Sequence, residues 1–172
     1  MEISVRLIDL TAMHPRLLWD DIIAATVIVL TNTSISPPFP FVLAVQELPG
    51  FGSDLLQFII DPIGVSSEYV NRLRRTYEPS RLVELAAIAI TGLGLYHGGG
   101  HEIRDIALRG SGADYLVDEQ NHLLEIAGRS RRSDFGVAWQ QRWQRLAGRI
   151  DGGFYVCVVE FETLSGRLVF RM

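Results

Sequence analysis

From residue 66 onward the chain reads as a fixed succession of elements, and that succession restricts the fold more than composition does. "SSEYVNRLRRTYE" has helical periodicity with serine at its N-cap. "PSRLVELAAIAITGLGLYH" is a second helix, entered through Pro79 and Ser80 and left at Gly98. "IRDIALRG" reads as a strand, and "ADYLVDE" and "HLLEIAGR" as the arms of a hairpin that turns near Gln120 and Asn121. "SDFGVAWQQRWQRLAGRI" reads as a helix capped by Ser133, followed by two closing strands, "GGFYVCVVEFETL" and "GRLVFRM". Helix, three strands, helix, two strands is the order of an α+β protein with a mixed sheet flanked by helices. No internal repeat and no long linker divides the 172 residues, so one domain over 1–172 is expected.

Residues 1–65 are harder to read. "EISVRLIDL" and "FVLAVQEL" suggest strands, and "TNTSISPPFP" is a break. "PRLLWDDIIAATVIVL" opens like a helix at Pro15, but its β-branched second half fits helix or strand, as does "SDLLQFIID". The segment is too apolar for a tail. It is expected to pack as an N-terminal extension on a core formed by residues 66–172, or to offer an apolar surface to a partner.

Composition excludes several classes. An apolar share of 48% and a charged share of 21% belong to a folded globular chain. A net charge of −4 argues against coating nucleic acid through bulk charge, while leaving room for a local basic patch. All 16 basic residues are arginine, a usage that fits a GC-rich genome and excludes any mechanism needing lysine. Cys157, the single cysteine, lies in the apolar run "FYVCVVEF" and reads as a core thiol. One cysteine permits neither an intramolecular disulfide nor a CxxC zinc site, and a reducing, cytoplasmic setting is the expectation. The N-terminus lacks a signal-peptide layout, and "IIAATVIVL" is too short to span a bilayer.

"HGGGH", residues 97–101, invites two chemical readings. As an esterase oxyanion loop it would need a GxSxG nucleophile elbow, which the chain lacks. As a metal pair, His97 and His101 would share a face only if the segment were helical, and each glycine there costs roughly 1 kcal/mol. The segment therefore reads as a helix C-terminus and a turn, with His97 well placed for the helix dipole.

Acids inside apolar segments carry more information. Asp114 stands on one arm of the hairpin, Glu125 is embedded in the other as "LLEIAG", and Glu84 sits in the apolar helix "RLVELAAIAI". A carboxylate in such a run needs a partner or a cation, because burying it alone is costly. Two carboxylates converging across a hairpin form an oxygen donor set for a divalent cation; a structural ion pair with a nearby arginine is the alternative for Glu125.

A helix with Glu, a strand with Asp, a strand with Glu, then helix and strand resembles the core of the PD-(D/E)xK, or restriction-endonuclease-like, superfamily, over roughly residues 80 to 165. The resemblance implies a restriction-endonuclease-like core with Asp114 and Glu125 as ligands of Mg2+ or Mn2+ and Glu84 as the supporting helical acid. It also implies a lysine two residues after the glutamate, and that position is Ala127. Arginine cannot replace it as a base, since it stays protonated.

Arginines gather around this segment. Phe135, Trp139, Trp143, Leu146 and Ile150 recur at helical spacing and are expected to face the core. Arg142, Arg145 and Arg149 fall on a different face, with Arg129, Arg131 and Arg132 just upstream. Such a cluster suits phosphate contact or an acidic protein partner; local ion pairs on a solvated face are the plain alternative. Two functions follow. One is a non-catalytic accessory or binding subunit that holds a protein or nucleic-acid partner through these arginines. The other is a Mg-dependent nuclease with an altered site built on Asp114, Glu125 and Glu84.

Overall fold

The computed structural model describes residues 1–148 and 152–172. The elements are β1 (Glu2–Arg6), a 3-10 turn at Leu7–Asp9, α1 (Leu10–Met13), α2 (Asp20–Thr31), β2 (Phe39–Leu48), β3 (Gly52–Asp61), α3 (Ser67–Thr76) and α4 (Pro79–His97). Then come β4 (Ile103–Ile106), β5 (Tyr115–Val117), β6 (His122–Arg129), α5 (Phe135–Ala147), β7 (Phe154–Glu160) and β8 (Ser165–Arg171). The strands form one mixed sheet of eight in the order β1-β3-β2-β8-β7-β6-β5-β4. β1 with β3, β2 with β8, and β6 with β7 are parallel; the remaining pairs are antiparallel. The α+β expectation of a mixed sheet flanked by helices is what forms.

α4 explains the layering. From Leu82 to Leu95 its residues are buried on nearly every side. A helix apolar all round must be covered all round, and α4 lies between the sheet and α2, which carries α3 in turn. That cover settles the ambiguous half of α2: Ile28 and Val29 are helical and buried, packing having overridden their β preference. "SDLLQFIID" forms β3, with Leu56, Phe58 and Ile60 buried on alternate positions. β2 pairs with β8, so residues 1–65 supply a continuation of the same sheet. α5 covers the opposite face of β6 and β7, where Ala138 and Leu146 pack with Ala127, Val156 and Val158.

Two sequence expectations shift. α2 starts at Asp20 rather than at Pro15, which lies in the preceding turn. α5 starts at Phe135 behind Asp134, because Arg132–Asp134 form a 3-10 turn and Ser133 lies inside it. Ile150 and Arg149 lie outside the described residues. Cys157 is fully buried, and burial pushes its thiol up to about 12, against a hydrogen bond with Thr91. No helix among the described residues is long and apolar enough to cross a membrane.

The glycine segment is a turn. α4 ends at His97, Gly98 caps it, and Gly99 and Gly100 take φ of 129° and 74°, which other residues adopt with strain. His101 folds back with its ring nitrogens 2.7 Å from Asp118 Oδ2 and 2.8 Å from Pro49 O. It thereby ties three turns together, and His97 packs separately on Phe58 and Tyr96.

Glu160 closes the β7–β8 turn. Its carboxylate is fully buried and accepts from the Glu162 and Thr163 backbone N–H groups and from the Thr163 and Ser165 hydroxyls. Burial alone would raise its pKa, but these donors outweigh it and hold the carboxyl below its ordinary value of 4.5. Glu160→Ala is expected to cost about 2 kcal/mol at neutral pH, measured by urea unfolding. Because the folded-state value is depressed, the contribution is present above the ordinary value and fades as pH falls through the folded one. The gap between wild type and variant should therefore narrow in acid.

Candidate functional site

Hairpin β5–β6 is short on one arm. Tyr115 pairs with Leu124, and β5 begins there, whereas β6 continues to Arg129. The chain before Tyr115 swings away, leaving a fork between β6 and the 107–113 loop. Asp114 stands in its crotch. Its backbone N–H donates to Leu124 O, and its Oδ2 accepts from Ile126 N at 2.8 Å, extending the ladder by one side-chain bond.

Two hollows meet at Asp114. One, of about 250 Å³, is lined by Arg81, Glu84, Ile88, Ile106, Asp114, Tyr115, Ile126, Gly128, Arg129 and Arg142. The other, more open and about 500 Å³, is bordered by Leu108, Arg109, Asp114, Glu125 and Arg145. Strand alternation decides which acid faces what. Even-numbered β6 residues turn toward α4 and odd-numbered ones toward α5, so Glu125 is aimed at α5. There Oε1 accepts from Arg145 at 2.7 Å and lies 3.2 Å from Arg142 Nε. Arg142 also reaches Ile126 O at 3.4 Å.

Glu125 is 2% exposed. Burial, then the neighbouring Asp114 charge, pushes its carboxyl up to about 7 despite the two guanidiniums. Burial raises Asp114 as well, against the Ile126 hydrogen bond and both arginines, and the Glu84 charge adds to the rise. Burial lowers Arg142, though Glu125 opposes this. The site is a partly desolvated knot of two acids and two arginines.

The sequence candidates therefore divide. Asp114 and Glu125 border one hollow, and their charges act on each other. Glu84 lies on the fork side of α4, but it is half exposed and paired with Arg81 at 2.9 Å, which corrects the apolar setting its neighbours suggested. The arginine stripe on α5 is corrected too. Arg142 and Arg145 turn toward the sheet, because a buried carboxylate waits there. The aromatic residues form a half-buried stacked row, Phe135 on Trp139 at 6.5 Å and Trp139 on Trp143 at 5.8 Å. Arg132, Arg167 and Arg171 lie over its rings. Arg132 is further drawn to the β7–β8 turn through Ser165. Arg109, Arg129 and Arg131 have no carboxylate partner among the described residues. Arg109 was not singled out by spacing; its place beside two positive-φ glycines, Gly110 and Gly112, brings it to the fork.

A divalent cation would have to compete for these acids with the groups that already engage them. Such an ion takes six or more oxygen ligands and repels guanidinium groups. Here the Glu125 oxygen is engaged by two arginines, Asp114 by a backbone N–H, and Glu84 by Arg81. Among the described residues no group of three or more His, Cys, Asp or Glu side chains is placed to hold a metal. Compared with known proteins, the chain matches no family model, no curated protein and no solved structure.

Proposed function

We propose that the chain is a non-catalytic, degenerate restriction-endonuclease-like protein that acts as an accessory or binding subunit, holding a protein or nucleic-acid partner at the fork. One observation carries this reading: Glu125 is claimed by Arg142 and Arg145, and the position two residues on, Ala127, has no ionisable group. The order of elements supports the resemblance, with α4, β4, β5 and β6 followed by α5 and β7, Asp114 immediately before β5 and Glu125 within β6. The charge around the fork supports the binding reading. Arg109 and Arg129 border the two hollows and Arg131 stands exposed just beyond, all without acid partners among the described residues, in a chain whose net charge is −4. Unpaired guanidiniums favour an anionic partner.

Calorimetric titration with Mg2+ and Mn2+ tests this beside a cleavage assay on single- and double-stranded nucleic acid. No heat of cation binding and no cleavage are expected. In fluorescence anisotropy with the same labelled strands, Arg109→Ala with Arg131→Ala should weaken any salt-sensitive binding by roughly tenfold. A folded protein that binds neither strand type would leave an acidic protein as the partner.

The second reading, a Mg-dependent nuclease with an altered site, is favoured by Asp114, Glu125 and Glu84 flanking one fork. It requires both arginines to leave Glu125. Cation-dependent cleavage that Glu125→Gln abolishes would establish it and overturn the first.

A further inference from the structure

Three of the eight strands, β1, β3 and β2, have a bare face. α5 covers β6 and β7 on the side opposite α4, and its tryptophans reach as far as Arg167 and Arg171 on β8. No helix among the described residues covers the same side of β1, β3 and β2. The strand register sets out what this face presents. Glu2, Gln57 and Val42 stand in one row, and Leu55, Ala44 and Arg167 in a neighbouring row. Val42 and Leu55, near the centre, are 37% and 50% exposed. Apolar side chains in the middle of an exposed sheet mark a surface that associates.

The two borders carry opposite, unsatisfied charges. At the β8 border, Arg167 lies 4.5 Å over the Trp139 ring and donates to Gln46 Oε1 at 2.8 Å. Its Nε is buried without an acceptor, and no carboxylate among the described residues pairs with it. A guanidinium so placed is costly without an acid. At the β1 border, Glu2 is exposed and likewise has no cationic partner among the described residues. Each border lies one strand outside the central β3–β2 pair.

We propose that this face is a homodimer interface, on which a second copy of this chain packs sheet to sheet about a two-fold axis running along the strands between β2 and β3. Such an axis exchanges the borders. It lays the partner's Glu2 over Ser165, one residue row from Arg167 and within that side chain's reach, and the symmetric contact forms at the other border, while the apolar centres meet each other. Both contacts are made twice, as an isologous interface requires. Sheets packed face to face stand about 10 Å apart, a gap that a glutamate and an arginine bridge together. The neutral, apolar centre suits a copy of itself and not a polyanion, which would need uncompensated positive charge along its whole track. The inference stands apart from the fork, so the cation and nucleic-acid results do not bear on it.

Sedimentation velocity on the full chain, from low micromolar to roughly 100 μM, tests it in the concentration range where weak dimers form. A dimer is expected for wild type. Leu55→Arg changes an exposed side chain and should keep the native circular dichroism while weakening self-association by about 100-fold, through like charges facing each other. Glu2→Arg should weaken it about tenfold, and adding Arg167→Glu to that variant should recover most of the loss. Should the double variant not fold, Leu55→Arg and Glu2→Arg decide the matter alone. A wild type that stays monomeric throughout overturns the proposal, as does a dimer that Leu55→Arg leaves intact.

Discussion

The stability difference between wild type and Glu125→Gln is expected to swing by about 3 kcal/mol between pH 4 and pH 8, in favour of the variant at high pH. An isolated glutamate titrates near 4.5, whereas Glu125 in the folded chain is raised to about 7. Between those values the native state keeps a proton that the unfolded chain has released. Stability from this group is therefore complete below 4.5, is lost as pH rises toward 7, and is flat beyond. Glutamine keeps an oxygen for Arg145 but has no proton to lose. His14 and His97, both lowered by burial, push the other way in the same window. They are present in both proteins and cancel in the difference. Urea unfolding at one-unit pH intervals reads the swing. A difference that stays constant from pH 4 to 8 would mean that Arg142 and Arg145 hold Glu125 ionised throughout.

That titration bears on the fork. As pH falls from 8 to 6, Glu125 takes up its proton and releases part of its hold on Arg142 and Arg145. The net charge at the fork becomes more positive. An anionic partner should bind more tightly over the same interval, and more steeply in wild type than in Glu125→Gln, measured by anisotropy at fixed ionic strength. A cation site would respond in the opposite direction, since protons compete with metal for carboxylates.

α3, α4, α5 and the closing strands were legible because their signals are local. α3 begins behind Ser66, whose hydroxyl accepts from Tyr69 N, and α4 begins at Pro79. Asp114 and Glu125 stood out for a related reason: a charge in an apolar run is visible in one dimension. Their arginine partners were not, although a signal existed. Ala138, Arg142, Arg145 and Leu146 share one helical stripe, with Ala138 and Leu146 its buried members. The aromatic stripe beside it, Phe135, Trp139 and Trp143, drew the core assignment through its helical spacing together with Leu146, and of these Leu146 is fully buried. Glu160 was missed because the meaning of "EFETLS" depends on the turn it closes. The bare face of β2 and β3 was unreadable in principle. Alternation reports that one side of a strand is buried and is silent on what the other side meets.

Gly128→Ala is expected to destabilise the protein by about 3 kcal/mol, the steepest cost of any single methyl group near the fork. Gly128 has no positive φ, so alanine suits its backbone. Space is the obstacle. An added Cβ would stand 2.6 Å from Val83 O and 2.9 Å from Ala87 Cβ, both on α4. The contact cannot yield by a rotamer change, since the nearer atom is backbone; α4 and β6 must move apart. Ala87→Gly in the same chain removes only the farther of the two clashes and should recover little of the loss. The fork should feel the change as well, because Ile126 and Arg129 line it from either side of Gly128. Displacing β6 lengthens the Ile126 N–Asp114 bond, so thermal unfolding and the Asp114 carboxyl resonance should shift together. Full rescue by Ala87→Gly would mean that side-chain crowding, not the approach of β6 to the Val83 carbonyl, sets the distance between helix and sheet.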